Sequence, residues 1–383
     1  YKIDSKIKQK TIAMKNTPLI KVWLITIGFI FLIMPAQAQL DGLGKMMGYQ
    51  TENAEKLFKA YIRPYTNALG TDLSNGWYNT AKPHKTLGFD VTFTLNTTFV
   101  PDMDKTFDPN NLDLVGIESP DNASPTAMGD NSSGATLNYV QSIGGQDYTL
   151  ASFDLPKGTG IGFAPAPMLQ VGVGLVKGTE VVGRYIPDMK LGSQAEIGLW
   201  GVGIKHSIKQ WIPALNKLPI FHLSVMGGYT KLTSKTDLSF TPQAYVDANL
   251  VNQSNVWDHG DYYGNQAMNL DVSSFSANLI VSANLPVVTF YGGVGINNTK
   301  TTLGLNGNYP MLDVNESTGN TQITQESSVT DPIDMEIKHQ GGSRTDPRYN
   351  IGMRFKFAVI TLHFDYTYSN YSVATAGLGL SFR

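Results

Sequence analysis

His222 and Ser224 stand two residues apart in a stretch of alternating polarity, so both side chains share one strand face. A histidine beside a hydroxyl is the pairing that activates a serine nucleophile, provided a carboxylate orients the ring. No orienting carboxylate is evident, and polar residues lining the inner face of a strand explain the pair more simply. Asp102 and Asp104, followed by Asp108, Asn110 and Asn111, offer oxygen ligands of the kind Ca²⁺ takes. The segment lacks the glycine and terminal glutamate of an EF-hand loop, and acidic turn residues account for it. The six histidines show no metal-ligand spacing. No metal and no cofactor is therefore expected, and the chain reads as a non-enzyme.

Glu180, Arg184 and Lys205 are long charged residues in the expected strands, placed to pair across a polar interior. Trp77, Trp200, Trp211 and Trp257 could line a ligand site, but aromatic girdles at two membrane interfaces account for most of them. Gly172, Gly174, Gly198, Gly201 and Gly203 lack the strand-to-helix context of a phosphate loop. They suit strand curvature or close packing of a plug.

The elements that must position these residues are of two kinds. Ala54, Leu57, Phe58, Tyr61, Ile62, Tyr65 and Leu69 recur at helical spacing, with Glu52, Glu55, Lys56 and Lys59 on the opposite face. The spacing predicts an amphipathic helix over 50–69, kinked or ended at Pro64. A connector follows over 70–85. With Leu57, Phe58, Tyr61, Ile62, Tyr65 and Trp77 as its contact residues, this region reads as a plug.

From Thr86 the period changes to 2. Leu87, Phe89, Val91, Phe93, Leu95 and Phe99 alternate with Asp90, Thr92, Thr94, Asn96 and Thr98. Strands of roughly 9–11 residues with one apolar and one polar face are what a transmembrane barrel needs. The pattern recurs at 270–283, 287–302, 348–357, 359–369 and 374–382, with further strands expected at 168–177, 179–187, 195–205 and 219–232. Tight turns near Gly178, Pro286 and Ala358 alternate with long polar stretches at 233–269 and 303–347. That asymmetry belongs to outer-membrane barrels, with short turns in the periplasm. The amphipathic stretch His206 to Leu218, with Trp211, Lys209 and Lys217, suits a membrane interface.

The expected fold is all-β, an antiparallel transmembrane barrel. Parity requires an even number of strands between 100 and 167. The candidates 110–118, 135–142, 147–154 and 158–166 bring the total to about 14, with 12 or 10 as the alternatives.

The chain has 383 residues and no cysteine, and only 16% of it is charged, below the roughly 25% of soluble domains. Absence of cysteine excludes a disulfide framework and cysteine metal sites. Met14, Lys15, Lys21, the apolar run Val22–Met34 and the ending Pro35-Ala36-Gln37-Ala38 read as a secretory signal over 14–38, after an upstream extension over 1–13. Residues 39–85 then form the plug and 86–383 the barrel. Residues 1–38 hold six lysines and one acid, leaving 23 basic and 30 acidic residues, a formal net of −7. An acidic exported chain is a poor nucleic-acid binder.

The series Asn75-Gly76-Trp77-Tyr78-Asn79-Thr80-Ala81-Lys82-Pro83-His84 opens a run of distinctive segments. Pro165-Ala166-Pro167, Gly183-Arg184-Tyr185, Gly201-Val202-Gly203-Ile204-Lys205-His206 and Gly227-Gly228-Tyr229-Thr230-Lys231-Leu232 follow. Together they resemble an uncharacterised family of outer-membrane proteins in the Bacteroidota, itself similar to the long-chain fatty-acid transporter barrels. The resemblance implies an outer-membrane barrel with an N-terminal plug and supplies no catalytic or binding residues.

Passive transport of a small hydrophobic compound is the leading expectation. A non-enzymatic accessory barrel, meeting other outer-membrane proteins through its long extracellular loops, is the alternative. A lipid-modifying enzyme using His222 and Ser224 comes third. Outer-membrane lipid is a partner in every case.

Overall fold

A strand with apolar odd positions and polar even ones needs apolar surroundings on one face and polar surroundings on the other. The computed structural model places these strands in that setting. It describes Met46 and residues 51–143, 145–192, 195–247, 249–315, 320–337 and 345–382. The expected extension over 1–13 and signal over 14–38 lie outside the described residues.

Ten strands form the closed barrel: β1 (Phe89–Phe99), β2 (Phe163–Gly174), β3 (Thr179–Leu191), β4 (Ala195–Ser207), β5 (Phe221–Asp237), β6 (Ala267–Asn284), β7 (Val288–Asn306), β8 (Thr345–Phe357), β9 (Ile360–Tyr368) and β10 (Ser372–Phe382). Each pairs antiparallel with its neighbours in sequence, and β1 closes the ring on β10 with Phe89 opposite Phe382. Full closure leaves the barrel wall no unpaired edge.

The count is ten, not about 14. The expected strands at 135–142 and 147–154 do exist, as a hairpin of Thr136–Ile143 with Gln146–Asp154. That hairpin pairs with Ile117–Glu118 in a separate three-stranded sheet and is not part of the barrel wall. Leu137 and Phe153 on one side are buried in the core, while Ser152 on the other bonds Asn138 in solvent. A hairpin with one dry and one wet face has no side for lipid.

The barrel has two ends of different character. All connections at the Phe89 and Phe382 end are short, the longest being 208–220 with the helix Pro213–Asn216. Three long connections, 100–162, 238–266 and 307–344, leave from the other end. They fold into a cap over it. β5, β6 and β7 run 17, 18 and 19 residues and rise into this cap. There Ile333–Ile337 takes over the pairing of β7 above the point where β8 leaves it.

On the outer surface Val225, Phe275, Leu279, Val281, Phe290, Val294, Ile351, Phe364 and Leu378 form an exposed apolar belt. Above it the outward residues of the same strands turn polar. Lys231 pairs with Asp271 at 3.2 Å and Lys300 with Glu336 at 3.6 Å. Inside, the order is reversed. Ser274, Ser276, Asn278 and Ser282 of β6 line the belt level, and Val272 and Leu270 line the cap level.

The helix α1 (Thr51–Ser74) fills the interior and packs against β6, β2, β7, β1 and β5. Leu57, Phe58, Tyr61 and Leu69 join Met168, Leu199, Leu232, Val272 and Leu303 in one buried cluster. α1 is longer than the expected 50–69, passing through Pro64 and adding Gly70–Ser74. Pro64 donates no hydrogen bond to the preceding turn. Nearby, the Tyr61 carbonyl accepts from Ala127 N of the cap at 2.9 Å. The last turn, Thr71-Asp72-Leu73-Ser74, is polar because it has reached the polar level of the barrel.

Candidate functional site

The described residues with the most concentrated chemistry surround the C-terminal end of α1 and the connector that follows. A helix ends with unpaired carbonyls and a partial negative charge, so a buried end needs donors, cations above all. Two arginines supply them from opposite walls. Arg184 of β3 donates to Leu73 O at 3.0 Å and to Asn75 O at 2.6 Å. Arg348 of β8 donates to Ser74 O at 2.7 Å and to the Asn75 side-chain oxygen. Thr230 donates to Leu73 O at 3.2 Å and Asn96 to Asp72 O at 2.9 Å. Thr98 completes the clasp by donating to the Asp72 carboxylate at 2.6 Å.

Gly76, at φ +73°, turns the chain out of the helix into a conformation that glycine tolerates. Trp77 then enters the wall of β4 and β5. The Arg184 guanidinium sits 3.6 Å from its ring centroid, a cation–π contact. Gly203 and Gly228 form the socket, for a Cβ on either would approach the Trp77 ring to 2.9 Å and 2.5 Å. Tyr78 meets Tyr291 edge-to-face at 6.1 Å, and the Tyr291 hydroxyl donates to Asp365 at 2.9 Å.

The connector is fastened again at the tight-turn end. Glu180 of β3 and Lys205 of β4 stand opposite each other in register, 2.8 Å apart. The same carboxylate accepts from His84 N and meets His84 Nδ1, each at 2.8 Å. His84 Nε2 lies 3.2 Å from Ser381 Oγ of β10. Main-chain bonds from Leu87 N to Gly174 O and from Gly174 N to Gly88 O lead the chain into β1.

The expected contact residues are accounted for individually. Leu57, Phe58 and Tyr61 are buried in the cap-level core, with Ile62 and Tyr65 packed partly buried at its margin. Trp77, Glu180, Arg184 and Lys205 are buried at the belt level. Glu180 and Lys205 pair along the wall and hold the connector; Arg184 binds helix carbonyls and no acid. The residues sequence reasoning missed are His84, Asn75 and Arg348. Arg348 was readable by parity, since Ile351, Met353 and Phe355 face out and even positions of β8 face in. His84 carried no signal, because the connector has no period.

His84, Asp90 and Glu180 are the group among the described residues able to offer three metal ligands, with their ligand atoms within 4.8 Å of one another. The Lys205 ammonium already occupies one oxygen of Glu180, so the cluster works as an ion-pair network. The acids at 102–108 do not converge: Asp102 pairs with Lys105 at 2.7 Å, Asp104 accepts from Tyr371 at 2.7 Å, and Asp108 caps Asn110 N at 2.9 Å. Ser224 donates its hydroxyl to Ala81 O of the connector, a fastening and not a nucleophile's geometry. Trp200 and Trp211 are exposed on the outer surface, while Trp77 lies in the lumen and Trp257 in the cap.

The chain belongs to a family of unknown function (DUF6588), whose model it matches over residues 14–382. No curated protein matches its sequence. Among solved structures it is similar to the translocator domain of autotransporter NalP from Neisseria meningitidis, with 10% identity, 83% of this chain and 93% of that one covered, and a TM-score of 0.28. It is similar also to the outer membrane protease OmpT from Escherichia coli, with 8% identity, 77% and 97% coverage and a TM-score of 0.28. For the toluene transporter TodX from Pseudomonas putida the values are 9%, 88% and 98%, and 0.26. Likenesses of this order carry no statement about activity.

Proposed function

We propose that this protein is an outer-membrane barrel sealed by its own N-terminal segment, working through its folded cap as a non-enzymatic binding or accessory component. The observation that carries the reading is the double clasp of Arg184 and Arg348 on the end of α1. It is a buried, charge-assisted set of bonds, of the kind that is costly to break. The apolar belt supports residence in a bilayer, and the tight turns mark the periplasmic end by the usual asymmetry of such barrels. The cap then faces outward, where it can meet other proteins or ligands.

Passive transport of a small hydrophobic compound, the relation drawn from the resemblance to fatty-acid transporters, fits this interior less well. A compound crossing the belt level would pass Arg184, Lys205, Arg348 and Glu180 as well as the apolar Val182, Met226 and Ile280, whose cluster the connector residues Trp77 and Tyr78 already fill. It would also require the connector to leave its fastenings.

Conductance across planar bilayers separates the two readings. The sealed barrel is silent as the wild type and becomes conducting as Arg184→Ala/Arg348→Ala. Steady wild-type conductance, or faster uptake of toluene by protein-loaded than by empty liposomes, would overturn the seal. The absence of cysteine makes orientation directly measurable. Asp258→Cys in the cap should react with an impermeant maleimide on intact cells, and Lys217→Cys only after permeabilisation.

A further inference from the structure

The two ends of the barrel differ in charge as sharply as in the length of their connections. At the cap end, 238–266 carries Asp247, Asp258 and Asp261 with no lysine or arginine, and acids outnumber lysines in 100–162. At the tight-turn end the sign reverses. The lead-in 82–88 and the connections 175–178, 208–220, 285–287 and 358–359 hold Lys82, Lys85, Lys177, Lys209 and Lys217 and no acid. All five segments lie wholly within the described residues.

Lys209 serves the fold, since its ammonium donates to Leu218 O at 2.6 Å and closes 208–220 on itself. Lys85, Lys177 and Lys217 are exposed. The acids of the strands beside them are turned inward, Asp90 toward His84 at 4.0 Å and Glu180 onto Lys205 at 2.8 Å. Three ammonium groups are thus left to whatever surrounds this end.

The same connections are apolar between their lysines. Trp211 is 68% exposed and Val176 63%, and Ile212, Leu218, Leu285 and Val287 are exposed as well. Phe221 and Phe290 continue this surface up into the belt. The connections are tied together: Gln210 donates to Lys177 O at 3.4 Å, and Asn284 N to Ile220 O at 2.8 Å. The Trp211 ring leans on His206, 5.2 Å away between centroids.

Exposed cations among exposed apolar residues call for a partner with both characters. A soluble acidic protein would meet the lysines, but the apolar surface runs on into the belt, where lipid alone can follow it. A zwitterionic headgroup would cover the apolar residues and offer the lysines no net charge. An anionic phospholipid does both, with its acyl chains on the apolar rim and its phosphate at the height a lysine stem reaches. Each lysine at such a surface strengthens association by about fivefold before screening.

We propose that the tight-turn end is a docking surface for anionic phospholipid, with the phosphates at Lys85, Lys177 and Lys217 and the chains against Val176, Trp211 and Leu218. The inference rests on the reading of the barrel as resident in a bilayer, and adds the headgroup class and the end that recognises it. Spin-labelled lipids test it. The protein is reconstituted in phosphatidylcholine liposomes with a trace of labelled phosphatidylglycerol or labelled phosphatidylcholine, and the motionally restricted fraction of each is measured. Phosphatidylglycerol should be favoured about threefold or more at low salt, and less at about 1 M. Lys85→Gln/Lys177→Gln/Lys217→Gln should bring the ratio near one, while Lys231→Gln/Lys235→Gln/Lys300→Gln at the cap should leave it unchanged. The barrel's shift on unheated electrophoresis should be the same in both variants. Equal restriction of the two lipids, a preference that the first variant retains, or one that the cap variant abolishes overturns the surface. Equal restriction together with polyglutamate binding in detergent would assign the lysines to a soluble acidic partner instead. No restricted lipid of either kind would sink the bilayer reading itself, so the two failures are distinguishable.

Discussion

The belt level and the cap level of this molecule are built by the same strands and obey opposite rules. On β6, Leu279 and Phe275 face lipid while Ser276 and Asn278 face the lumen. A few residues further up the same strand, Val272 and Leu270 face in, and Asp271 faces out to pair with Lys231. β7 does the same, passing from Asn297, Thr299 and Thr301 inside to Leu303 and Leu305. The backbone ladder runs on unchanged, so the inversion comes from the solvent outside and not from the fold. In the proposed membrane setting the bilayer takes the apolar side chains below; above, water does not, and they turn to the interior.

The comparison explains why α1 changes character along its length. Its N-terminal turns present Leu57, Phe58 and Tyr61 to an apolar core, and its last turn presents Asp72 and Ser74 to a polar one. It predicts that the belt-level interior tolerates lost charge poorly. Glu180→Ala strips Lys205 and His84 of their shared partner and leaves a buried cation, at a cost of about 3–5 kcal/mol. Urea unfolding from liposomes reads this directly. A cost near zero would mean that the lower fastening holds nothing.

The outer surface sharpens the contrast next. Leu279→Lys places a charge in the middle of the belt and should cost about 2–4 kcal/mol, the usual penalty on a lipid face near the midplane. Insertion yield and the unfolding midpoint measure it. If Leu279→Lys behaved as a water-exposed substitution, the belt would not be where we place it.

The inner surface gives the reverse pair. Val272→Asn, in the cap-level core, buries an amide among apolar neighbours and should cost about 1–3 kcal/mol. Ser276→Ala, four residues lower on the same inward face, should be close to neutral, since its hydroxyl has no partner among the described residues. Equal costs for the two would remove the boundary between the levels.

That boundary also decided what was legible in the sequence. Strands at the belt level show strict alternation; the strand expected from Thr86 ends at Phe99 as read but starts at Phe89, because Leu87 takes a positive φ in the turn before it. β5 reads as ending near Leu232 but runs to Asp237, because the alternation continues with its sense reversed. The hairpin Thr136–Asp154 alternates as well, which is why the strand count read too high. Period alone does not say which side faces lipid. Within the lumen, Glu180, Arg184 and Lys205 stood out as long charged residues on the polar faces of their strands. His84 and Asn75 did not, since an extended connector bonds through whatever the surrounding wall offers.

The smallest expected effect lies where the cap meets water. Lys231 and Asp271 are both about one-third to one-half exposed, at 34% and 45%, and exposed pairs contribute about 0–1 kcal/mol before screening. Lys231→Ala should therefore shift the unfolding midpoint barely, and less still at high salt. One step down the outer face of β5 is Tyr229, and then the belt begins. A large loss from Lys231→Ala would mean that the pair sits in the bilayer and not above it. The polar boundary would then have to rise by one outward position on every long strand, carrying the cap's lower edge with it.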